Sequence, residues 1–275
     1  MKYKIGFIGA GHMAQALISA IANEGVADKS QMYLYDIDNL KRDKLRAEGY
    51  NMVKSELEVV KSADIVFLTV RPHDLKKVLE RIAPAVSINN VLVSVAAGIS
   101  ISFIKKTVGK ECKVVRAMPN TPAKYGKGAT AISYAMPITY AELNAVKDIF
   151  AAAGLVEVLP EDKMNEVISV SGSSPAYVYM LIKAMINGAV AQGIEPEIAR
   201  RLVMETIIGA TETVVRVGDE NIDQLLKEIC TPNGTTERAV DYLEKKYFEQ
   251  IIGDAMLACT KRAAQIEKEI GEEQE

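Results

Sequence analysis

A short glycine-containing segment near the start of the chain has the spacing of a phosphate-binding turn. Gly9, Gly11 and Ala14 form a G-x-G-x-x-A pattern between a strand-like run, KIGFI, and a helical run. The first glycine permits a tight turn, the second lets a diphosphate approach the backbone, and the alanine lets the helix pack closely on the strand. The first helical N–H groups, around His12 and Met13, would then face the phosphates. The pattern predicts a dinucleotide-binding turn.

Asp36 indicates which dinucleotide would bind. It ends the next strand-like run, 22 residues after Ala14. A carboxylate at this point accepts hydrogen bonds from a ribose 2′-hydroxyl and repels a 2′-phosphate. The sequence therefore favours NADH over NADPH. The alternative is that Asp36 only caps the following helix while Lys41 and Arg42 receive a phosphate, so NADPH is not excluded.

Residues after the other strand-like runs complete the candidate cofactor site. The carboxyl ends of parallel strands form the ligand crevice of a doubly wound sheet, so the residues that follow them should converge there. These residues are Val70, Arg71, Pro72, Ala96, Ala97, Gly98, Met118 and Asn120. The segment from Met118 to Pro122 predicts either a stiff loop or a wall against the nicotinamide.

A second polar segment lies near the C-terminal end. In Thr231-Pro232-Asn233-Gly234-Thr235-Thr236, a proline and a glycine precede a helical run from Glu237 to Leu243. The exposed N–H groups at such a helix start can bind a carboxylate. The alternative is an ordinary helix cap.

The elements that must position these residues change type along the chain. The first 160 residues alternate apolar runs with helical patterns, which predicts a doubly wound α/β sheet of the Rossmann type. The predicted strands are Lys4–Ile8, Met32–Tyr35, Ile65–Val70, Val91–Val95, Lys113–Ala117, Ala129–Ser133 and Val156–Leu159. The predicted helices in this part are Met13–Asn23, Leu40–Glu48, Glu56–Lys61, Leu75–Arg81 and Tyr140–Ala153.

After about Glu161 the patterns are helical only, so we predict a dinucleotide-binding domain at 1–160 and an all-helical domain at 161–275. From Val167 to Ile194 the only charged residue is Lys183. A helix with so little polar surface must be covered all round, and a second subunit is the expected cover. The acidic segment Glu267–Glu275 predicts a frayed helix end.

The composition excludes several classes of protein. Thirty-three Lys and Arg against 36 Asp and Glu give a net charge of −3, which argues against nucleic-acid or anionic-membrane partners. Two histidines and three separated cysteines predict no metal site and no disulfide framework. No membrane span and no signal peptide are predicted, so we expect a cytoplasmic protein.

Several motifs together resemble the pyrroline-5-carboxylate reductase family over nearly the whole chain. They are GAGHMA, VRPH, SVAAGIS, VRAMPNTPA, SGSSPAY and TPNGTTERAVDYLE. The last two are similar to the family signatures SGSGPAY and (S/T)PGGTT. The resemblance implies NAD(P)H-dependent reduction of 1-pyrroline-5-carboxylate to L-proline, the last step of proline biosynthesis. It also implies a homodimer that interleaves its helical domains and often assembles further into decamers.

The resemblance assigns roles to particular residues. Thr236 matches the threonine whose hydroxyl bonds the imine nitrogen, and Gly234, Thr235 and Thr236 match the backbone donors that hold the substrate carboxylate. On the same basis, Ser173, Ala97 and Gly98 are expected to contact the substrate. Such a reaction needs mainly orientation of the ring against the nicotinamide, which fits the scarcity of histidine.

The sequence departs from the family at three places. Ser174 and Asn233 replace signature glycines, and Lys183, followed by Asn187, stands where acidic residues are expected. The Lys–Asn spacing resembles the catalytic pair of β-hydroxyacid dehydrogenases, with lysine as general acid or base. The alternatives are therefore a related imine reductase, a dehydrogenase that uses Lys183, and a dinucleotide-binding paralogue without catalysis.

Overall fold

An eight-stranded sheet with helices on both faces occupies the first part of the chain. The computed structural model describes residues 2–218 and 222–272. The strands are β1 Ile5–Ile8, β2 Met32–Tyr35, β3 Asn51–Met52, β4 Ile65–Leu68, β5 Val91–Ser94, β6 Lys113–Met118, β7 Gly128–Ala135 and β8 Gly154–Val158. The helices of this part are α1 His12–Asn23, α2 Asn39–Ala47, α3 Glu56–Ser62, α4 Pro72–Ile82, α5 Ile101–Val108 and α6 Tyr140–Ala151.

The strand order places a ligand crevice between β1 and β4. The order is β3-β2-β1-β4-β5-β6-β7-β8, and Ile5 of β1 pairs in parallel with Met32 on one side and Ile65 on the other. The chain reverses its direction of strand addition at β1, which is the switch point where ligands bind in open α/β sheets. The pairing of β6 with β7 is antiparallel. The predicted Rossmann-type sheet is confirmed.

The sheet has an apolar core on each face because β1, β4 and β5 are buried at every position. On one face Phe7 stacks on Phe67, with ring centroids 4.7 Å apart, and Phe67 meets Phe150 edge to face. The other face holds a second cluster that includes Ile8 and Leu68. These cores hold the loops at the carboxyl edge of the sheet in place.

One helix of this part, α5, is absent from the sequence prediction. Its β-branched and aromatic residues favour a strand by propensity, but Ile101, Ile104 and Val108 are buried at helical spacing. The Ser100 side chain accepts a hydrogen bond from the Phe103 N–H (3.1 Å), and Gly109 ends the helix with φ +72°. Burial of one helical face and the caps at both ends outweigh the strand propensity of these residues.

A buried ion pair joins the start of β6 to the start of α6. Lys113 Nζ lies 2.6 Å from Glu142 Oε1, and both residues are buried. Burial by itself raises the pKa of Glu142, but hydrogen bonds from Lys113 and Thr139 outweigh that effect and hold the pKa below its ordinary value. The pair therefore stabilises the fold when the carboxyl group is ionised.

The described chain forms two compact units. The first comprises Met1–Pro175 together with Ala258–Glu275, and the second comprises Ala176–Leu257. The second unit is helical; its elements are parts of α7 Ser174–Ala191 and α11 Phe248–Glu272, with α8 Pro196–Val217, α9 Ile222–Ile229 and α10 Thr235–Lys245 between them. Because the end of α11 packs with the first unit, the compact units do not follow the predicted limits at 1–160 and 161–275, which stay a prediction.

The helices of the second unit leave most of their apolar side chains uncovered. Among their described residues, α7 buries none, and α8 buries Ala199 and Val203. Exposed apolar side chains include Met180 (70%) on α7 and Leu202 (58%) on α8. An exposed apolar surface this extensive marks an interaction site. No helix of the described residues is both long and apolar enough to cross a membrane.

Candidate functional site

The turn between β1 and α1 requires glycine at Gly9. Its φ is +96°, and a Cβ there would lie 2.8 Å from the carbonyl oxygen of Thr69. The Thr69 hydroxyl lies 3.0 Å from the carbonyl oxygen of Ile8 and 2.7 Å from that of Gly9. The end of β4 thus holds the turn closed.

The next glycine opens a cradle at the start of α1. Gly11 is the N-cap of α1, makes no side-chain cap, and would place a Cβ with no described atom within 4 Å. A ligand can therefore approach the backbone where any other residue would project a side chain. His12 is exposed, Met13 is half-buried and Ala14 is fully buried under the helix. This cradle fits a diphosphate at the helix N-terminus.

Asp36 is bound to the glycine turn itself. The Ala10 N–H donates to Asp36 Oδ2 (2.6 Å), and the Asp38 N–H donates to Asp36 Oδ1 (2.8 Å). Lys41 Nζ lies 3.8 Å from Oδ2. The side chain that caps α2 is Asp38, which accepts from the Leu40 N–H. Asp36 therefore positions the turn rather than capping the helix, and it presents a nearly buried carboxylate at the end of β2.

Five of the predicted cofactor residues line one groove. The groove has a volume of about 490 Å³, and its lining includes Gly9, Gly11, Asp36, Val70 and Arg71. The other predicted cofactor residues, which do not line it, are His12, Met13, Pro72, Ala96, Met118 and Asn120.

Charges of both signs surround this groove. Arg81 donates to Glu56 through two nitrogens (2.7 and 3.2 Å), and Arg71 lies 3.0 Å from Asp74. These pairs neutralise two of the groove's four cations, Lys41 is paired with Asp36 (3.8 Å), and Lys77 is the fourth. Pro72 is the first residue of α4, which starts directly after Arg71.

The loop after β5 packs against the last helix. Ala96 is buried, and Gly98 has a φ of +72°. A Cβ at Gly98 would lie 2.9 Å from Ile266 Cγ2 of α11. Glycine at this position therefore serves a close approach of helix to loop.

The loop after β6 is held by one asparagine. Asn120 Nδ2 donates to the Ser171 carbonyl oxygen (3.0 Å), and Asn120 Oδ1 accepts from the Ala129 N–H (2.9 Å). Both ends of this buried amide are thus engaged in holding the loop. Met118 packs in a small apolar cluster with Met164 and Val167, and Ala97 contacts the cluster.

Ser173 lies at the end of a π-helical turn, Ile168–Gly172, just before α7. The thiol of Cys259 on α11 donates to Ser173 Oγ (3.3 Å). The hydroxyl of Ser174 donates to the Val170 carbonyl oxygen (2.6 Å). The extra side chain at this signature position therefore closes a local turn.

The polar segment of the second unit forms an uncapped helix start. Asn233 has a φ of +61°, and its N–H donates to Glu237 Oε2 (2.8 Å). Gly234 is the N-cap of α10, and a Cβ there would lie 2.5 Å from Thr231 Oγ1. The Gly234 N–H donates to the Thr231 carbonyl oxygen (2.8 Å). Within the described chain, the amides left for a carboxylate are the first three of the helix, at Thr235, Thr236 and Glu237.

Lys183 lies in a groove of about 330 Å³ within the second unit. Asn187 lines the same groove, as the spacing of four predicts, together with Arg200 and Tyr179. Lys183 is exposed in the described chain.

Sequence reasoning missed a buried polar cluster in the first unit. Arg116 is 1% exposed, and its guanidinium contacts Glu161, Asn165 and Glu267. The predicted frayed end is wrong for Glu267, which lies within α11, whereas residues 273–275 are outside the described residues. The available signal for the buried arginine was its place in the otherwise apolar run VVRAM. Among the described residues no group of acidic, histidine or cysteine side chains could hold a metal ion.

Comparisons with known proteins agree with this arrangement. A family model described as pyrroline-5-carboxylate reductase dimerisation matches residues 161–266, and one described as NADP oxidoreductase, coenzyme F420-dependent, matches residues 4–98. The chain is 35% identical to the pyrroline-5-carboxylate reductase of Escherichia coli over 98% of this chain and 100% of that one.

Solved structures of the same kind match along the whole length. The Plasmodium falciparum pyrroline carboxylate reductase with NADP bound has a TM-score of 0.89 and 30% identity, covering 97% of this chain and 98% of that one. The Coxiella burnetii pyrroline-5-carboxylate reductase has a TM-score of 0.90 and 29% identity, covering 97% and 99%. The predicted family is confirmed: the chain belongs to the pyrroline-5-carboxylate reductase family.

Proposed function

We propose that this protein is an oxidoreductase that reduces 1-pyrroline-5-carboxylate to L-proline. The observation that carries the proposal is the uncapped start of α10, where Gly234 leads into Thr235 and Thr236. This segment matches the family's substrate-binding signature in a chain related to the reductases over its full length. Within the described chain the helix start offers backbone N–H donors and the half-buried hydroxyl side chain of Thr236, a donor set that suits a small carboxylate with an adjacent ring nitrogen.

The substrate side of the proposal assigns one task to each group. The amides of Thr235 and Thr236 bind the carboxylate, and the hydroxyl of Thr236 holds the imine nitrogen. The bond from the Asn233 N–H to Glu237 keeps the turn in its left-handed conformation, so the donors stand in place before the substrate arrives. A ring imine has its own electrophilic carbon, so orientation supplies most of the catalysis.

The cofactor side rests on the groove of the first unit. Gly9 and Gly11 leave the backbone open to a diphosphate, and Asp36 stands at the end of β2 where a ribose would lie. A bound reduced nicotinamide dinucleotide would supply the hydride. We propose NADH as the preferred cofactor, because the nearly buried Asp36 carboxylate repels a 2′-phosphate. Lys41 lies beside this carboxylate and could receive the 2′-phosphate, so NADPH is not excluded as a cofactor.

We propose further that the working form is a homodimer that buries the apolar faces of α7 and α8. The match to the dimerisation family model and the exposed apolar side chains on these helices support this assembly. A decamer of such dimers is the larger assembly that the family resemblance implies. We propose a cytoplasmic location, since none of the three cysteines forms a disulfide.

An assay with 1-pyrroline-5-carboxylate and NADH tests the proposed reaction. We expect oxidation of NADH with formation of proline. Cofactor binding without turnover would instead favour a paralogue that has lost catalysis. Oxidation of a 3-hydroxy acid with NAD⁺ would favour the dehydrogenase chemistry of Lys183.

A further inference from the structure

Arg116 is an almost completely buried arginine near the carboxyl end of the sheet. It lies in β6, two residues before Met118, and its side chain is 2% exposed. A buried guanidinium must be matched by carboxylates or other acceptors, because the desolvated charge is otherwise costly.

Three side chains from two other parts of the first unit surround this guanidinium. Nη2 donates to Asn165 Oδ1 (2.7 Å), while Nη1 lies 3.7 Å from Glu161 Oε1 and 3.6 Å from Glu267 Oε1. Asn165 Nδ2 in turn donates to Glu267 Oε2. We call these four residues the Arg116 cluster. The cluster links β6 and the segment before α7 to the last turns of α11.

One donor of the cluster has no acceptor in the part of the chain that the structure describes. This is Nε of Arg116, which is buried. Unsatisfied buried donors are rare in folded proteins, and each one calls for an explanation. Leucine or methionine in β6 would avoid the cost, so the arrangement points to a task that an apolar residue cannot perform.

The cluster is connected to the two loops that we assign to the nicotinamide and the substrate. Glu161 Oε1 accepts the Ile101 N–H (2.6 Å) at the start of α5, three residues after Gly98. Glu267 follows Ile266, the α11 residue on which Gly98 packs. Strand β6 ends at Met118, two residues before Asn120. A shift of α11 would therefore displace both loops.

We propose that Arg116 is a positioning residue for hydride transfer. Its guanidinium fork anchors the end of α11 and holds the loops Ala96–Gly98 and Met118–Asn120 at the separation that the reaction needs. This inference rests on the proposed function. Lysine could not replace the fork, because an ammonium group lacks the planar set of donors that reaches three acceptors at once.

Arg116→Met, with Arg116→Lys as a milder second variant, tests the role in catalysis. Misplacing reacting groups by about 1 Å costs on the order of 100-fold. We expect kcat for pyrroline-5-carboxylate reduction to fall about 10- to 100-fold in Arg116→Met and less in Arg116→Lys. We also expect a larger primary isotope effect on kcat with NADH deuterated at C4, because hydride transfer becomes slower relative to release. A role limited to fold stability would not raise the isotope effect.

Arg262→Met is the matched control. Arg262 lies on α11 and, like Arg116, contacts a carboxylate. Its partner Glu269 is on the same helix, however, and both residues are exposed. This variant removes an arginine ion pair without releasing the helix from the sheet. We expect kcat and the isotope effect to stay as in the unmodified protein.

Hydrogen exchange of the full chain without cofactor or substrate tests the anchor independently of activity. In Arg116→Met we expect faster amide exchange in residues 258–270 and 96–104, with α2 and α8 unchanged. Unchanged or uniformly faster exchange would overturn the anchor, and an unaltered kcat and isotope effect would overturn the positioning role. If the unmodified protein does not reduce the imine, the proposed function is wrong, and the positioning role in that reaction is wrong with it. The hydrogen-exchange experiment still tests whether Arg116 anchors the end of α11.

Discussion

At the scale of single residues, the structure changes what one side chain is expected to do. Asp36 is predicted from its place after a strand to contact the ribose. In the structure it accepts the Ala10 N–H of the glycine turn, so the carboxylate that we propose selects the cofactor also holds the shape of the turn. Its substitution must therefore affect more than the repulsion of a phosphate.

We expect Asp36→Ser to narrow or reverse the preference for NADH and to weaken binding of both dinucleotides. Relief of charge repulsion narrows the preference, whereas loss of the bond to the Ala10 N–H loosens the turn. Asp36→Asn, which keeps an acceptor for that N–H, should lose less affinity for NADH. Steady-state kinetics and dissociation constants with both cofactors measure the effects. A higher specificity constant with NADPH in the unmodified protein would contradict the proposed preference.

Thr236 is a second residue whose role can be isolated. We expect Thr236→Ala to lower kcat/KM for the imine by about 10- to 150-fold, since a hydrogen bond to a charged partner contributes about 1.5–3 kcal/mol. NADH binding should change little, because the groove that we propose for the nucleotide lies in the first unit. Thr235→Ala, which removes the neighbouring exposed hydroxyl, serves as the control.

Lys183→Ala separates the two enzyme chemistries. On the proposed function, it should weaken the dimer more than the chemical step. If it abolished turnover in an intact oligomer while Thr236→Ala were nearly silent, the assignment of imine reduction would be wrong. Removal of a general acid typically costs about 10²–10⁴-fold in rate. Steady-state rates and light scattering on the same samples decide between the two.

At the scale of elements, burial converts individual ion pairs into connections between strands and helices. Lys113 and Glu142 join β6 to α6, while the Arg116 cluster joins β6 to α11. The first connection bears on stability, because it lies among buried residues at the start of both elements. It also makes stability depend on pH.

We expect Glu142→Gln to lower the free energy of unfolding at pH 7 by about 3 kcal/mol, the scale for breaking a buried pair. The folded-state pKa of Glu142 is lowered, so its contribution is present above the ordinary carboxyl pKa and is lost as the pH falls through the folded-state pKa. The difference in free energy of unfolding between the unmodified protein and Glu142→Gln should therefore decrease as the pH is lowered. Urea unfolding of both proteins at a series of pH values measures this difference. A difference that does not depend on pH would contradict the predicted effect of the Glu142 pKa.

At the scale of the whole molecule, the helices of the second unit expose an apolar surface that a partner must bury. Its helices carry exposed apolar side chains along most of their length, whereas the sheet of the first unit has a closed core of its own. Burial of apolar area is the main driving force for such association. We therefore attribute the stability of the second unit to assembly.

We expect the protein to remain at least a dimer on dilution, with twice the 30.0 kDa protomer mass or more by light scattering. Leu202→Asp on α8 should dissociate or unfold it, because a charge cannot be buried unpaired in an apolar interface. Ile88→Asp, at a comparably exposed apolar residue of the first unit, is the control and should leave assembly intact. A stable, active monomer of the unmodified protein would contradict this expectation.

Local requirements of the backbone made much of this molecule predictable. Gly9 and Gly11 were recognisable because a positive φ and an open approach are properties of the glycine itself. The strands β4 and β5 were recognisable because a doubly covered strand must be apolar at nearly every position. The stretch around α7, in which Lys183 is the only charge, predicts a covered helix for the same reason. Each of these signals lies within a few residues of what it predicts.

Only the tertiary structure decided which distant residues meet. Arg116 contacts Asn165 and Glu267, which are 49 and 151 residues away, and Gly98 packs on Ile266. No spacing rule connects such positions, because the sheet order and the return of α11 to the first unit bring them together. The sequence by itself thus determined most of the element types, the glycine turn after β1 and the family. The bonds of Asp36, the engaged amide of Asn120 and the buried cluster depended on packing, since side-chain partners across a core are selected by geometry and not by order along the chain.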